Sequence, residues 1–230
     1  MNKTLKTILS LVLALVCVFL VYKIYDGVMQ PVRFEKDVNA RKKVAIQQLK
    51  DIRDLQVAYK SVNNKFCSTV DSLKDFYLNG NMEVIMQIGS QDDSLAVAHT
   101  EAVKKANRKI TPVELYQMYL NGDKNLVFAV ANKIPVRDTL FNGRDDFNID
   151  SLKYIPFSGK APVQMEAVTK QVSGVQVPLF EAKMPYKSLL KGMDNQLRIN
   201  LDAERRDQNR YEGLQVGSIS APNNNAGNWE

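Results

Sequence analysis

The sequence predicts an α+β protein that is carried on one N-terminal transmembrane helix. Three observations lead to this fold class: an uncharged apolar run near the N-terminus, a long segment of helical periodicity after it, and alternating apolar and polar residues in the last third. The 230 residues are 45% apolar, which suffices for one domain with a core in addition to an anchor. We expect an anchor over residues 1–25 and a single extracytoplasmic domain over residues 26–230.

The N-terminal segment is long and apolar enough to span a bilayer. Residues 7–22 carry no charge, and lysines stand near the two ends of the wider segment 5–25. Roughly 20 helical residues cross the hydrocarbon core of a membrane. A cleaved secretory signal would be followed by a small-x-small site, whereas this run continues into KIYDGVMQP. We therefore expect a retained anchor, represented by Leu9, Leu13, Val16 and Leu20.

The orientation of the anchor depends on the basic residues on its two sides. Lys3 and Lys6 precede the apolar run, and Lys23, Arg33 and Lys36 follow it, so the positive-inside count is nearly even. A short basic head before an apolar run is typical of a signal-anchor. This favours a single-pass protein of the inner (cytoplasmic) membrane with the bulk of the chain in the periplasm. The opposite topology stays open as the alternative.

A long amphipathic helix is predicted after the anchor. Pro31 is expected to interrupt the exit from the membrane, and the helix is then expected over residues 34–62. Asn63 and Asn64 tolerate the left-handed conformation that ends helices. One apolar stripe at helical spacing should dock on the domain's own sheet and form the interaction surface of the helix. Its members are Ala45, Leu49, Ile52, Leu55 and Tyr59.

The middle of the chain reads mainly as short helices. Ser68 begins a capped short helix that ends near Leu78, and Thr111-Pro112-Val113-Glu114 is a helix start with a hydroxyl cap. The segments MEVIMQIG and NLVFAVANKIPV each fit either a strand or the end of a helix. We expect one helical insertion over residues 92–134.

The last third, residues 153–230, is predicted to be rich in β-structure. PVQMEAVTKQV and VQVPLFEAKMP flank Ser173-Gly174, which is the pattern of a β-hairpin. Pro178 lies inside the second arm, so that arm is expected at the edge of the sheet. QLRINLDAERRDQNRYEG fits a strand or a short helix, and LQVGSISA fits a last strand.

The junction between the long helix and the next short helix resembles the type IV pilin and pseudopilin family. LQVAYKSVNNKF followed by STVDSL resembles the end of the family's long helix, and the tail NNNAGNWE is similar to that of major pseudopilins of type II secretion. The resemblance covers residues 3–73 and, more weakly, the last eight; the family's Gly-Phe processing site and early Glu are absent. It implies a pilin-like fold and a structural role. The matching positions are Tyr59, Asn63, Asn64, Phe66, Thr69 and Leu73.

The tail is the place where major pseudopilins hold calcium. Here the asparagines supply oxygen atoms, but Glu230 is the one side-chain carboxylate of residues 223–230. We therefore expect no metal. Instead, Trp229 should pack the tail onto the sheet while the asparagines bond to their own backbone. A metal bound by the tail stays open as the alternative.

The titratable residues give no sign of catalysis. His99 is the single histidine, and Cys17 and Cys67 cannot pair because one lies in the apolar run. The paired acids at 92–93 and 145–146 fit turns and helix caps, and no nucleotide-binding or hydrolase motif is present. We expect no catalytic residue, no cofactor and no metal site.

The charge pattern excludes a nucleic-acid-binding face. The chain has 31 basic and 25 acidic residues, and without Lys3, Lys6 and Lys23 the balance is close to even. The one tight run, residues 41–43, is expected to be a solvated helix face, with contact to anionic headgroups as the alternative. The predicted partners are the inner membrane and protein subunits of an envelope complex, including further copies of the chain. The alternatives are a periplasmic accessory or binding subunit and an envelope hydrolase.

Overall fold

A computed structural model describes residues 3–230, with side chains described from Ser10 onward. The fold is α+β, with a long N-terminal helix and small antiparallel sheets, and this part of the prediction is confirmed. The chain divides into two compact units. The first unit comprises the chain up to Asp54, Ser68–Val70 and Asp150–Glu230, and the second unit comprises Leu55–Cys67 and Asp71–Ile149.

Helix α1 runs without a break over Lys3–Asn63 and contains Pro31. The predicted interruption at Pro31, with a separate helix at 34–62, is therefore wrong. Proline removes one backbone hydrogen bond, which costs about 3 kcal/mol in a helix interior, but the turns on both sides keep theirs. The predicted end is confirmed, because Asn64 has a φ of 56° and its N–H donates to the Lys60 carbonyl at 2.8 Å.

The second unit contains a two-stranded antiparallel sheet and short helices. After α2 come strand β1, helices α3 and α4, strand β2 and helix α5. Their bounds are Val70–Asn79 for α2, Asn81–Ile88 for β1, Ser94–Ala106 for α3, Pro112–Leu120 for α4, Phe128–Pro135 for β2 and Val136–Thr139 for α5. The hydroxyl cap predicted at the start of α4 is present, and it forms a capping box between Thr111 and Glu114.

Strand β2 corrects the predicted helical insertion at 92–134. The segment contains α3 and α4 but ends in a strand, and β1 and β2 pair along their whole length from Asn81 opposite Pro135 to Ile88 opposite Phe128. Phe128 and Val130 alternate into the core beside Leu115 and Leu126. Strand β1 supplies the hydrogen-bond partners for the backbone N–H and C=O groups of β2. This partner is distant in sequence, so the local pattern does not reveal it.

The first unit contains a three-stranded antiparallel sheet with the order β3-β4-β5. Its elements are β3 at Gln164–Val172, β4 at Val175–Pro185, α6 at Tyr186–Leu189, α7 at Asn195–Asp207 and β5 at Gly213–Gly217, and a 3-10 helix at Ile149–Lys153 precedes them. The hairpin of β3 and β4 is confirmed, with Ser173 and Gly174 both at positive φ. The charged stretch that fitted a strand or a helix is helix α7.

Strand β4 is central, so its prediction as an edge strand is wrong. Strand β5 pairs with β4 over Glu181–Pro185, whereas Pro178 lies opposite Thr169 of β3. Pro178 therefore stands in the part of β4 that has a neighbour on one side, where a missing N–H is tolerated.

Helix α1 and the sheet supply many of the buried residues of the first unit. Ala45, Leu49 and Ile52 are fully buried, as are Phe180, Ala182, Met184 and Val216 on β4 and β5. The tail adds to β5 through backbone hydrogen bonds from Gly217 to Ala226 at 3.0 Å and from Asn228 to Gln215 at 2.9 Å.

Candidate functional site

The N-terminal part of α1 exposes a continuous apolar surface. One helix among the described residues is long and apolar enough to cross a membrane, and none of its most apolar window is buried. At the predicted anchor positions, the exposed fractions are 63% for Leu13, 46% for Val16 and 52% for Leu20. Leu9 lies in α1, but its side chain is outside the described residues. Other exposed apolar residues are Leu11, Val12, Leu15, Val18, Phe19 and Val21.

This surface has the physical properties of a membrane anchor. Each large apolar side chain gains about 1.5–3 kcal/mol on transfer out of water, so a whole helix of them is costly to leave hydrated. A helix also pairs its own backbone N–H and C=O groups, which hydrocarbon requires. The exposed part of α1 therefore fits a membrane anchor by length, composition and hydrogen bonding.

Polar contacts begin where the apolar run of α1 ends. The Lys23 ammonium lies 5.9 Å from the Phe19 ring centroid, and Arg33 forms an exposed ion pair with Asp26 at 3.2 Å. Gln30 donates a hydrogen bond from Nε2 to Oδ2 of Asp194 at 2.8 Å. Asp194 is also the N-cap of α7, where its Oδ1 accepts from the Leu197 N–H. The start of α7 therefore lies beside the end of the apolar run.

The predicted interaction stripe of α1 is occupied within the chain. Ala45, Leu49, Ile52 and Leu55 are fully buried, and the half-buried Tyr59 packs edge-on against Phe76 with ring centroids 5.1 Å apart. The first three belong to the first unit, and Leu55 and Tyr59 belong to the second unit.

The basic run at residues 41–43 was predicted to be a solvated helix face, and this is only partly the case. Arg41 donates from Nη1 to the carbonyls of Leu189 at 3.1 Å and Lys191 at 2.9 Å. The Lys42 ammonium lies 5.2 Å from the Tyr186 ring centroid, and Lys43 is exposed. Arg41 and Lys42 therefore hold the α6 region against α1. Sequence alone offered no signal for this, because the acceptors are about 150 residues away.

A cleft of about 690 Å³ lies along α7, and we call it the α7 cleft. Asp202 is 6% exposed and forms an ion pair with Arg198 through Oδ2, whereas its Oδ1 is buried and has no hydrogen-bond partner. Burial raises the pKa of the Asp202 carboxyl, and the Arg198 guanidinium opposes this increase. Other lining residues are Lys187, Ile199, Arg206, Arg210, Tyr211 and Glu212.

The rim of the α7 cleft is also shaped by charge. Arg206 donates to Glu212 at 2.7 Å, and this bond lowers the pKa of the Glu212 carboxyl. Burial, together with the charges of Glu181 and Glu212, raises the pKa of Tyr211 to about 12. The ion pair of Arg198 and Asp202 could have been predicted from the sequence, because the two residues are four positions apart on one helix. Only the fold brings Lys187 and Arg210 beside them.

The histidine and the paired acids that the sequence singled out form local contacts in the described part of the chain. His99 contacts Asp123 at 2.9 Å on an exposed surface, and Asp93 caps α3 as predicted. Asp146 accepts two hydrogen bonds from Arg144, which lower the pKa of its carboxyl. Within residues 3–230, no group of three or more His, Cys, Asp or Glu side chains is arranged to hold a metal ion.

The tail follows its predicted arrangement in part. The Trp229 ring lies over Gly227, and Asn223 accepts a hydrogen bond from the Asn225 N–H at 3.1 Å. Glu230 reaches α1, where Arg53 donates to its Oε1 at 2.6 Å. The end of the chain is thus fastened to the first unit by a backbone ladder and an ion pair.

Comparison with protein-family models, with curated proteins and with solved structures finds no match for this chain.

Proposed function

We propose that this chain is a non-enzymatic, single-pass membrane protein that acts as a pilin-like structural or assembly subunit of a secretion or pilus-like complex. Its N-terminus lies in the cytoplasm and its two units lie in the periplasm. The observation that carries the proposal is the continuity of α1, which runs from an exposed apolar segment into a buried stripe without a break. A force or a displacement at the anchor would therefore reach the first unit through one rigid element.

The polar contacts of α1 support a structural role for the helix. Gln30, Arg41, Gln48 and Arg53 bond to residues that lie more than 100 positions later in the chain. Such contacts spread along the whole periplasmic length of the helix in the first unit. They would hold this unit at a constant height above the membrane, which an assembly subunit requires.

The second candidate function is a periplasmic binding or accessory subunit of another membrane complex. The α7 cleft favours it, because it combines a buried carboxylate oxygen without a partner and several cations. This candidate shares the anchor with the first and differs in having a soluble ligand rather than neighbouring subunits.

Membrane retention tests the anchor. We expect Leu13→Arg with Val16→Arg to release the chain from alkali-washed membranes, because each arginine costs about 2.5–3.5 kcal/mol at the centre of a spanning helix. The matched control is Ile85→Arg with Leu95→Arg, which changes two exposed apolar residues of the second unit and should leave the chain in the membrane. Equal retention of both double variants would refute the anchor.

Topology and assembly are tested in the same cells. A C-terminal epitope should be lost when protease is added to spheroplasts, and protection of the epitope would place the two units in the cytoplasm. A photo-crosslinker at Leu20 should give adducts with another membrane protein or with a second copy of the chain. Adducts with lipid alone would refute assembly through α1 and favour the binding subunit.

A further inference from the structure

The start of α7 lies at the level of the lipid headgroups if α1 is a membrane anchor, so this inference rests on the proposed function. Gln30, which bonds to the N-cap residue Asp194, follows Tyr25 by five residues, or about 7.5 Å along the helix axis. Tyr25 ends the segment that spans the hydrocarbon, and a headgroup layer is roughly 5–7 Å thick. The surface around Asp194 therefore faces the outer edge of the headgroup layer.

A second cleft opens beside this contact, and we call it the basic cleft. Its volume is about 520 Å³, and it lies between the loop after α6 and the first turn of α7. Its lining contains three cations, Lys187, Lys191 and Arg198, and no acidic residue. The nearby Asp194 keeps its negative charge, but it is not one of the lining residues, and its two carboxylate oxygens are engaged by Gln30 and by the Leu197 N–H.

The cations of the basic cleft differ in their freedom to bind a ligand. Arg198 is held by Asp202 and by Asn195, whose Oδ1 accepts from Nε and Nη2. Among the described residues, Lys187 and Lys191 form no ion pair, and both are exposed. The cleft thus combines two exposed lysines without an ion pair and one arginine that is held in place, and Ser188 also lines it.

We propose that the basic cleft binds the phosphate of an anionic phospholipid headgroup in the membrane that α1 crosses. Lys187 and Lys191 contact the phosphate oxygens, whereas the charge of Arg198 is balanced by its ion pair with Asp202. The absence of an acidic lining residue disfavours the ammonium group of a zwitterionic headgroup. The bond between Gln30 and Asp194 holds the cleft within reach of the bilayer, which favours a lipid over a free anion in solution. The bound lipid would fix the first unit against the membrane surface.

The test uses the whole 230-residue chain, purified in a neutral detergent. Native mass spectrometry measures binding of dioctanoyl phosphatidylglycerol and dioctanoyl phosphatidylcholine, with inorganic phosphate as competitor. The variant is Lys187→Gln with Lys191→Gln. The control is Lys104→Gln with Lys105→Gln, which removes two exposed lysines of α3 in the second unit and changes the net charge equally.

We expect the unmodified chain to prefer the phosphatidylglycerol. One lysine near an anionic headgroup accounts for about fivefold in binding, so the Lys187/Lys191 variant should bind about 30-fold more weakly and the control unchanged. Equal binding of the two lipids, or equal loss in the control, would overturn the proposal. If inorganic phosphate displaces the phosphatidylglycerol at a comparable concentration, the cleft is a site for free anions, and the lipid is overturned as its ligand.

Membrane retention of the same variants separates this inference from the proposed function. Chains that stay in alkali-washed membranes but lack the lysine-dependent preference refute the basic cleft as a lipid site and leave the anchor intact. An unmodified chain that is released from alkali-washed membranes refutes the anchor, and with it the headgroup site.

Discussion

The side-chain amide of Gln56 forms two hydrogen bonds with the backbone of Cys67. Its Nε2 donates to the Cys67 carbonyl at 2.6 Å, and its Oε1 accepts from the Cys67 N–H at 2.9 Å. Gln56 is fully buried and Cys67 is 6% exposed, so water cannot replace this pair. The side-chain amide thus pairs both backbone groups of Cys67, in the segment that follows α1, as a neighbouring β-strand would.

Replacing Gln56 should loosen the segment around Cys67. Gln56→Leu leaves a buried N–H and a buried C=O without these partners, at a cost of about 2 kcal/mol or more. In a Cys17→Ser background, we expect the Cys67 thiol to react with a maleimide about 30-fold faster. Gln91→Leu, at an exposed turn, is the control and should leave the rate unchanged. An unchanged rate in the Gln56 variant would show that the pair contributes nothing to local stability.

Thr100 connects α3 to the chain before β2. Its buried hydroxyl donates to the Ala96 carbonyl at 2.7 Å and accepts from the Val127 N–H at 2.8 Å. Thr100→Val keeps the shape but leaves the Val127 N–H unpaired, so the free energy of unfolding of the second unit should fall by about 1–3 kcal/mol. Thr100→Ser keeps the hydroxyl and should lose less. The reaction rate of Cys67, measured over a urea series and extrapolated to zero urea, gives the free energy of unfolding of both variants. A larger decrease in this free energy for Thr100→Ser than for Thr100→Val would contradict this role.

The ion pair of Arg53 and Glu230 should make attachment of the tail depend on pH. The Arg53 hydrogen bond holds the pKa of Glu230 below its ordinary value of 4.5. A depressed folded-state pKa means that the stabilisation is complete above about pH 4.5 and is lost as the pH falls through the folded-state value. The carboxylate side chain is 41% exposed, so we expect a small effect that is weaker in high salt.

Trp229 is the single tryptophan and reports this attachment directly. Its emission should shift to the red as the pH falls from 6 to 3 while the far-ultraviolet circular dichroism stays constant. Glu230→Gln removes the titrating group and should remove the pH dependence of the emission. An emission profile in Glu230→Gln that matches the unmodified chain would show that Glu230 does not control the tail.

Asp202 should destabilise the first unit as the pH rises. Burial raises its folded-state pKa above 3.8, so the folded chain keeps a proton that the unfolded chain has released. The free energy of unfolding therefore falls with rising pH across this interval. Asp202→Asn cannot ionise. We therefore expect its melting temperature to rise relative to that of the unmodified chain as the pH increases from 3 to 7.

Asp207 provides the control for this experiment. It lies in the same helix and is exposed, so Asp207→Asn should shift the melting temperature little. A constant difference between Asp202→Asn and the unmodified chain over the whole pH range would mean that Asp202 titrates alike in the folded and unfolded states.

Local patterns in the sequence determined a large share of the secondary structure. The apolar run and the period of the stripe from Ala45 to Tyr59 predicted a membrane-length helix and its buried face, and the structure contains both. The capping box of Thr111 and Glu114 and the turn at Ser173 and Gly174 were equally readable. Each of these signals depends on residues within one or two turns of each other, where neighbouring side chains determine the backbone.

The tertiary structure decided the features that join distant parts of the chain. Pro31 did not break α1, since the turns on both sides kept their hydrogen bonds, and β2 formed a strand because β1 is its partner. The pairing of Gln56 with Cys67 and the meeting of Gln30 with Asp194 have no local signature, because an amide can bond to many acceptors. The sequence by itself determined a membrane-length helix and an α+β body. Which polar groups meet was decided by packing, since a buried donor must find its acceptor wherever the folded chain brings one.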